Sequence, residues 1–204
     1  MAGLGAVCDA AEDGEARGFV IVRVSGVPEP EWSKDLPMAL VSKWERGLRR
    51  LERVPAITVA VADGDCGGTA LDALLVTDYR IMPSWARLVF PVVAGATWPS
   101  MAMYRLARQA ACAAPARRAV LFGTAIGAGM AKAMGVIDEV AGNEALALEK
   151  AMEVAAAATQ GAELAIRRQL MYEALTTSFE DALGVHLAAC DRSLRRATAG
   201  RRGD

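Results

Sequence analysis

The sequence predicts an α/β fold with a largely parallel sheet, on three observations. Two β-branched apolar runs, Phe19 to Val24 and Ala56 to Val61, have the length of buried strands. The residues between them carry apolar side chains at helical spacing, and helical patterns dominate after Met82. Strands separated by helices need crossover connections, which make neighbouring strands parallel.

In chain order, Leu4 to Arg17 reads as a short helix, and the strand from Phe19 is closed by Ser25 and Gly26. Pro28, Pro30 and Pro37 mark a loop, since each fixes φ and lacks a backbone donor. Leu40, Val41, Trp44, Leu48 and Leu51 then share one helical face, opposite Lys43, Arg46, Arg49, Arg50 and Arg53. After the strand Ala56 to Val61, a helix ends near Thr77 and Asp78, and Tyr79 to Met82 is a short third strand. Further short strands are expected at Leu88 to Phe90 and Val136 to Val140. Ser100 to Ala113, Pro115 to Phe122 and Ala128 to Met134 read as helices divided by Pro115, Gly123 and Gly135. Glu144 to Ala158, Ala162 to Ala174 and Ser178 to Arg195 read as three longer helices, followed by a frayed basic tail.

A chain of 204 residues with 53% hydrophobic composition is long enough for one domain with a substantial core. We expect residues 1–140 to form its α/β core and 141–204 a helical region for packing or oligomerisation. The 23 Lys+Arg against 24 Asp+Glu leave a formal charge of -1, which argues against nucleic acid or an anionic membrane as partner. Cys8, Cys66, Cys112 and Cys190 are widely spaced and form no C-x-x-C pair, as suits reduced thiols. No stretch approaches the roughly 18 to 20 apolar residues of a membrane span, and the first 17 residues carry four acids in place of a basic leader. These features set the expectation of a cytoplasmic protein.

The segment Val61 to Asp72 runs from a buried strand through Asp63-Gly64-Asp65-Cys66-Gly67-Gly68 into a helix. Consecutive glycines let a ligand approach the main chain, and first-turn N–H groups favour a developing negative charge. That is how an oxyanion hole for a thioester carbonyl is built. The plain alternative is a tight turn with Asp63 or Asp65 as a helix cap. No Gly-Lys-Ser/Thr follows, so the turn is not a Walker loop, and the Rossmann spacing of glycines is absent.

Val59 to Ile81 resembles the core motif of the crotonase (enoyl-CoA hydratase/isomerase) family. The resemblance extends to Leu121-Phe122-Gly123-Thr124 and Ala131 to Val140. It implies a crotonase-like (ClpP/crotonase) ββα spiral core with C-terminal helices, an acyl-CoA substrate and no cofactor beyond the substrate's own coenzyme A. Gly64 matches the family's early glycine and Asp78 its late aspartate without a gap. Asp72 then stands at the first catalytic carboxylate, and Thr69 at the glycine whose N–H completes the oxyanion hole, with Gly68 the donor if the register slips by one. Cys66, Gly67, Trp98 and Tyr104 would line the substrate pocket. Val41 to Arg46, Ala62 to Gly68 and Ala96 to Leu106 are most similar to short accessory members found in dihydroxyphenylglycine biosynthesis. That similarity implies work beside a type III polyketide synthase, making dihydroxyphenylacetyl-CoA for an antibiotic building block. Family trimers imply a homo- or hetero-oligomer.

The departures are as informative. No Asp or Glu occurs between Tyr79 and Ile137, where the family's second catalytic carboxylate falls. Two-carboxylate hydration is therefore in question, and a non-catalytic partner of another crotonase or of the synthase is the alternative. No Ala-Gly-x-Asp-like loop follows Gly26, which leaves Val27 to Trp32 as the source of the first oxyanion donor. The N-terminal hairpin has no counterpart, so Met1 is expected to lie inside a longer frame, and the terminal helix is shortened. Cys66 activated by His186 competes with Cys66 as a buried thiol. Asp63 and Asp65 lack the further spaced ligands of a metal loop, so no metal is expected. Arg105, Arg108, Arg117 and Arg118 compete between CoA phosphates and solvent.

Overall fold

A computed structural model describes residues 2–13, 19–157 and 162–200. The first half holds α1 (Ala2–Glu12), β1 (Phe19–Gly26), α2 (Met38–Leu51), β2 (Ile57–Gly67), α3 (Thr69–Leu75), β3 (Tyr79–Pro83) and β4 (Arg87–Val89). A two-stranded ribbon, β5 (Val92–Val93) and β6 (Ala96–Thr97), precedes α4 (Met101–Gln109) and α5 (Ala113–Phe122). The remainder is β7 (Ile126–Gly127), α6 (Ala128–Ala133), β8 (Glu139–Ala141), α7 (Glu144–Ala157), α8 (Ala162–Glu173) and α9 (Phe179–Gly200).

Strand β2 organises the sheet. It pairs in parallel with β1 along one edge, and on the other edge with β3 at Val59–Val61 and then with β4 at Cys66–Gly67. Strand β8 extends the sheet beyond β3 in parallel, and β7 closes the far side against β4 in antiparallel register. Alternation along β2 sends Ala60 and Ala62 into the main core with Leu48, Leu51 and Leu74, and Val59 and Val61 to the opposite face. There Ala147, Ala151 and Ala155 of α7, spaced four apart, let the helix lie flat on the sheet.

The sequence places the end of this strand at Val61 and a glycine-rich bend after it. The strand instead continues to Gly67, with Asp63 to Asp65 forming a bulge between the pairs Val24↔Ala62 and Gly26↔Cys66. The cause is the second partner, since β4 offers ladder bonds that the local sequence does not reveal. The chain turns at Gly68 alone, at φ 53° and ψ −123°.

Two buried arginines lock the helices onto this sheet. Arg168 of α8 donates through Nε and Nη2 to Asp78 at 2.6 Å each, and to the carbonyls of Val54 and Ala56 at 2.7 and 2.9 Å. Asp78 also accepts from the Thr58 N–H at 2.9 Å, so one carboxylate ties α8, β2 and the end of the α3 segment together. Arg80 donates to the carbonyls of Leu74, Leu75 and Thr77, placing its charge at the negative end of α3.

Candidate active site

Helix α3 is held at both ends, by the Gly68 turn at its start and by Arg80 at its finish. A side chain at Gly68 would come within 2.6 Å of the Pro28 ring, and one at Gly67 within 3.1 Å of the Val89 carbonyl. The close approach and the positive φ restrict the Gly68 position to glycine, and a side chain at Gly67 would require Val89 to give way. The loop after β1, where the first oxyanion donor is expected within Val27 to Trp32, therefore covers the glycine turn, but its residue against Gly68 is a proline with no N–H to give.

Asp72 lies on the inward side of α3 and is 5% exposed. Its Oδ2 accepts from the indole Nε1 of Trp44 at 3.2 Å, while Oδ1 is buried with no hydrogen-bond partner. Burial is the chief reason its pKa is raised, to about 6, and the nearby Glu45 pushes the same way. The Trp44 N–H, the Arg105 charge and the Ala102 backbone N–H at the start of α4 oppose that rise. A carboxyl tuned to that range suits a group that both takes and gives a proton near neutral pH.

Beside Asp72 lies an ion cluster that sequence reasoning missed. Arg105 of α4, almost fully buried, donates to Glu45 of α2 at 3.1 Å and to Glu52, the residue that caps the end of α2, at 2.9 Å. The signal was present in the sequence: Arg105 falls between Ala102 and Leu106 on the buried face of α4, and Glu45 and Glu52 are seven residues apart, within and just past the end of α2. Glu45 brings a second carboxylate to the neighbourhood of Asp72 from α2, ahead of the motif.

Thr69 and Ala73 of α3 line a cavity of about 400 Å³ together with Trp44, Leu4, Val7 and the β1 residues Val20 to Ser25. Trp44 thus faces the cavity with its ring and Asp72 with its N–H. The remaining residues named from the sequence are dispersed. Cys66 is fully buried, with its thiol on the carbonyls of Gly64 and Val24, and burial pushes its pKa up to about 12. His186 is on α9 beside Cys190, at 3.6 Å, so the dyad of Cys66 with His186 is not formed. Trp98 stacks edge-to-face on Trp32 at 5.0 Å. Tyr104 is 63% exposed and lines a separate cavity between α2, α4 and α8. Asp63 and Asp65 cap no helix, being paired with Arg23 at 3.8 Å and Arg87 at 2.6 Å. Arg117 and Arg118 are exposed on α5. Among the described residues no group of three or more His, Cys, Asp or Glu is placed to hold a metal.

Residues 36–200 match the family model described as enoyl-CoA hydratase/isomerase. This chain belongs to the enoyl-CoA hydratase/isomerase family. Its sequence is 54% identical over 193 residues to a protein named enoyl-CoA-hydratase from Amycolatopsis orientalis, covering 95% of this chain and 88% of that one. Solved structures share the fold at lower identity. An enoyl-CoA hydratase from Polaromonas sp. JS666 matches with a TM-score of 0.79 at 19% identity, over 97% of this chain and 83% of that one. An enoyl-CoA hydratase/isomerase from Mycobacterium abscessus matches at 0.76 and 24%, over 93% and 78%. The crotonase-like α/β fold read from Val59 to Ile81 is thereby established. Among the described residues of this family member no helix is long and apolar enough to cross a membrane.

Proposed function

We propose that this enoyl-CoA hydratase/isomerase family member is a lyase that assists loss of water from a polyketide-CoA on the way to dihydroxyphenylacetyl-CoA. The observation that carries the reading is Asp72, a buried carboxyl with one free oxygen and a pKa raised to about 6, four residues into the segment after the glycine turn. Backbone N–H groups at Gly68 and Thr69 hold the thioester oxygen as it gains negative charge. The Asp72 carboxylate takes the proton from the carbon next to the thioester, giving an enolate. The enolate then expels the hydroxyl on the next carbon, and the proton now on Asp72 joins it as water. One carboxyl serves as base and then as acid, which answers the missing acid after β3. Coenzyme A enters as part of the substrate, and the chemistry asks for no other cofactor. Asp72→Asn should lower dihydroxyphenylacetyl-CoA formation by a synthase mixture at least 100-fold, the scale of general acid–base catalysis. Unchanged product yield would sink the assignment of Asp72.

A second reading is favoured by one further observation, the exposed apolar residues of α9: Phe179, Leu183, Leu187 and Leu194. Here the chain is a non-catalytic partner that stabilises another crotonase homologue or a type III polyketide synthase. Full rescue of the pathway by Asp72→Asn, together with co-purification of the chain with those proteins, would select it.

A further inference from the structure

The cavity between α2, α4 and α8, about 430 Å³, has no part in the reaction described above. Its size is at the lower end of small-molecule pockets. Two phenol rings, Tyr104 of α4 and Tyr172 of α8, contribute flat apolar walls, and the carbonyl of Tyr172 accepts from Arg108 at 2.8 Å, which joins α8 to α4 across it.

Two kinds of unanswered polar group belong to residues that line this space. Arg49 of α2 and Arg53, two residues past its end, line it, and among the described residues neither has a side-chain ion pair or hydrogen bond. The acids beside them are already engaged, Glu52 by Arg105 and Glu173 by Gln169. Gln109 supplies the other. Its Nε2 donates to the Leu75 carbonyl at 3.0 Å, and its Oε1 is buried without a donor. A buried acceptor left unpaired is costly, and a hydroxyl is the small group that satisfies it without adding charge.

We propose that this cavity binds a small hydroxylated aromatic carboxylate, with the carboxylate on Arg49 and Arg53, the ring between the tyrosines and the hydroxyl donating to Gln109 Oε1. An arginine pair presents forked donors that match a carboxylate, and aromatic rings stack on tyrosine faces. The site is independent of the dehydration assigned to Asp72.

Calorimetric titration of the full chain tests this with 3-hydroxyphenylacetate as probe, against phenylacetate, 3-hydroxyphenylethanol and sodium sulfate. The hydroxy acid should bind at least tenfold more tightly than each of the other three. Arg49→Ala with Arg53→Ala should weaken the hydroxy acid at least tenfold and leave 3-hydroxyphenylethanol unaffected, with an unchanged circular dichroism spectrum. Gln109→Leu should abolish the preference for the hydroxyl. Asp72→Asn should bind the probe as the wild type does, which separates this site from the reaction. Equal affinity for the hydroxy acid and sulfate, meaning an adventitious anion only, would overturn the proposal. So would no binding at all, or binding that the arginine variant leaves intact. The probe series needs no variant, so the proposal stands exposed to failure even if Gln109→Leu does not fold.

Discussion

Asp72 is where stability and chemistry pull apart. Its folded pKa of about 6 lies above the ordinary value of 3.8, so between those values the folded state holds a proton that the unfolded chain has lost. Stability therefore falls as pH rises through that window, by about 3 kcal/mol in all, and is level above it. Asp72→Asn removes the titration while keeping an acceptor for Trp44. The variant should gain about 3 kcal/mol relative to wild type between pH 4 and pH 7 in urea melts. Parallel stability curves for the two proteins would show that Asp72 is not the buried acid described here. In the sequence Asp72 stood out only through the family resemblance, which matches Gly64 and Asp78 without a gap and puts Asp72 at the first carboxylate position. The sequence concealed Trp44, Glu45 and Arg105, because their meeting depends on how α2 and α4 cross α3, and no local pattern encodes that.

Among the elements, α8 depends on a single side chain more than on its apolar face. Arg168 makes five donations, to Asp78 twice and to three backbone carbonyls. Arg168→Ala leaves the largely buried Asp78 without its counter-charge and should cost about 3 to 5 kcal/mol. Arg168→Lys should recover little of this, since an ammonium cannot reproduce the fork. Hydrogen exchange localises the effect: α8 amides should lose protection first, and uniform loss across the sheet would refute the anchor. Helix placement was widely legible because apolar spacing survives in single sequences. Strand limits were less so. Strand β2 runs through Asp63 to Gly67, residues of low strand preference, because β4 and Gly26 of β1 pair with its end. The ribbon of β5 and β6 turns at Ala94 and Gly95, both at positive φ, and its strands are two residues each, too short to show alternation.

At the scale of the whole molecule, α9 carries leucines and a phenylalanine outward over its 22 residues, with Phe179 93% exposed. Among the described residues, one ion pair joins α9 to the rest, from Arg196 to Glu163 of α8. An apolar stripe of this length marks an interaction surface. Leu183→Asp with Leu187→Asp should lower the mass measured by light scattering, or abolish co-purification with the synthase and its crotonase homologues, while thermal stability of the isolated chain stays within a degree or two. Loss of neither would remove α9 from the interface. The even apolar content of this helix in sequence pointed to packing. Which surface it packs on lies outside what one chain encodes.

The position of Trp44 has an optical consequence. Its indole N–H is bonded to a carboxylate that titrates near neutrality, while its ring borders the cavity beside β1. The emission of this tryptophan should change with a midpoint near pH 6, the value to which Asp72 is raised, and the transition should vanish in Asp72→Asn. The fold thus carries its own fluorescent reporter, through which the protonation of Asp72 is read without substrate or label.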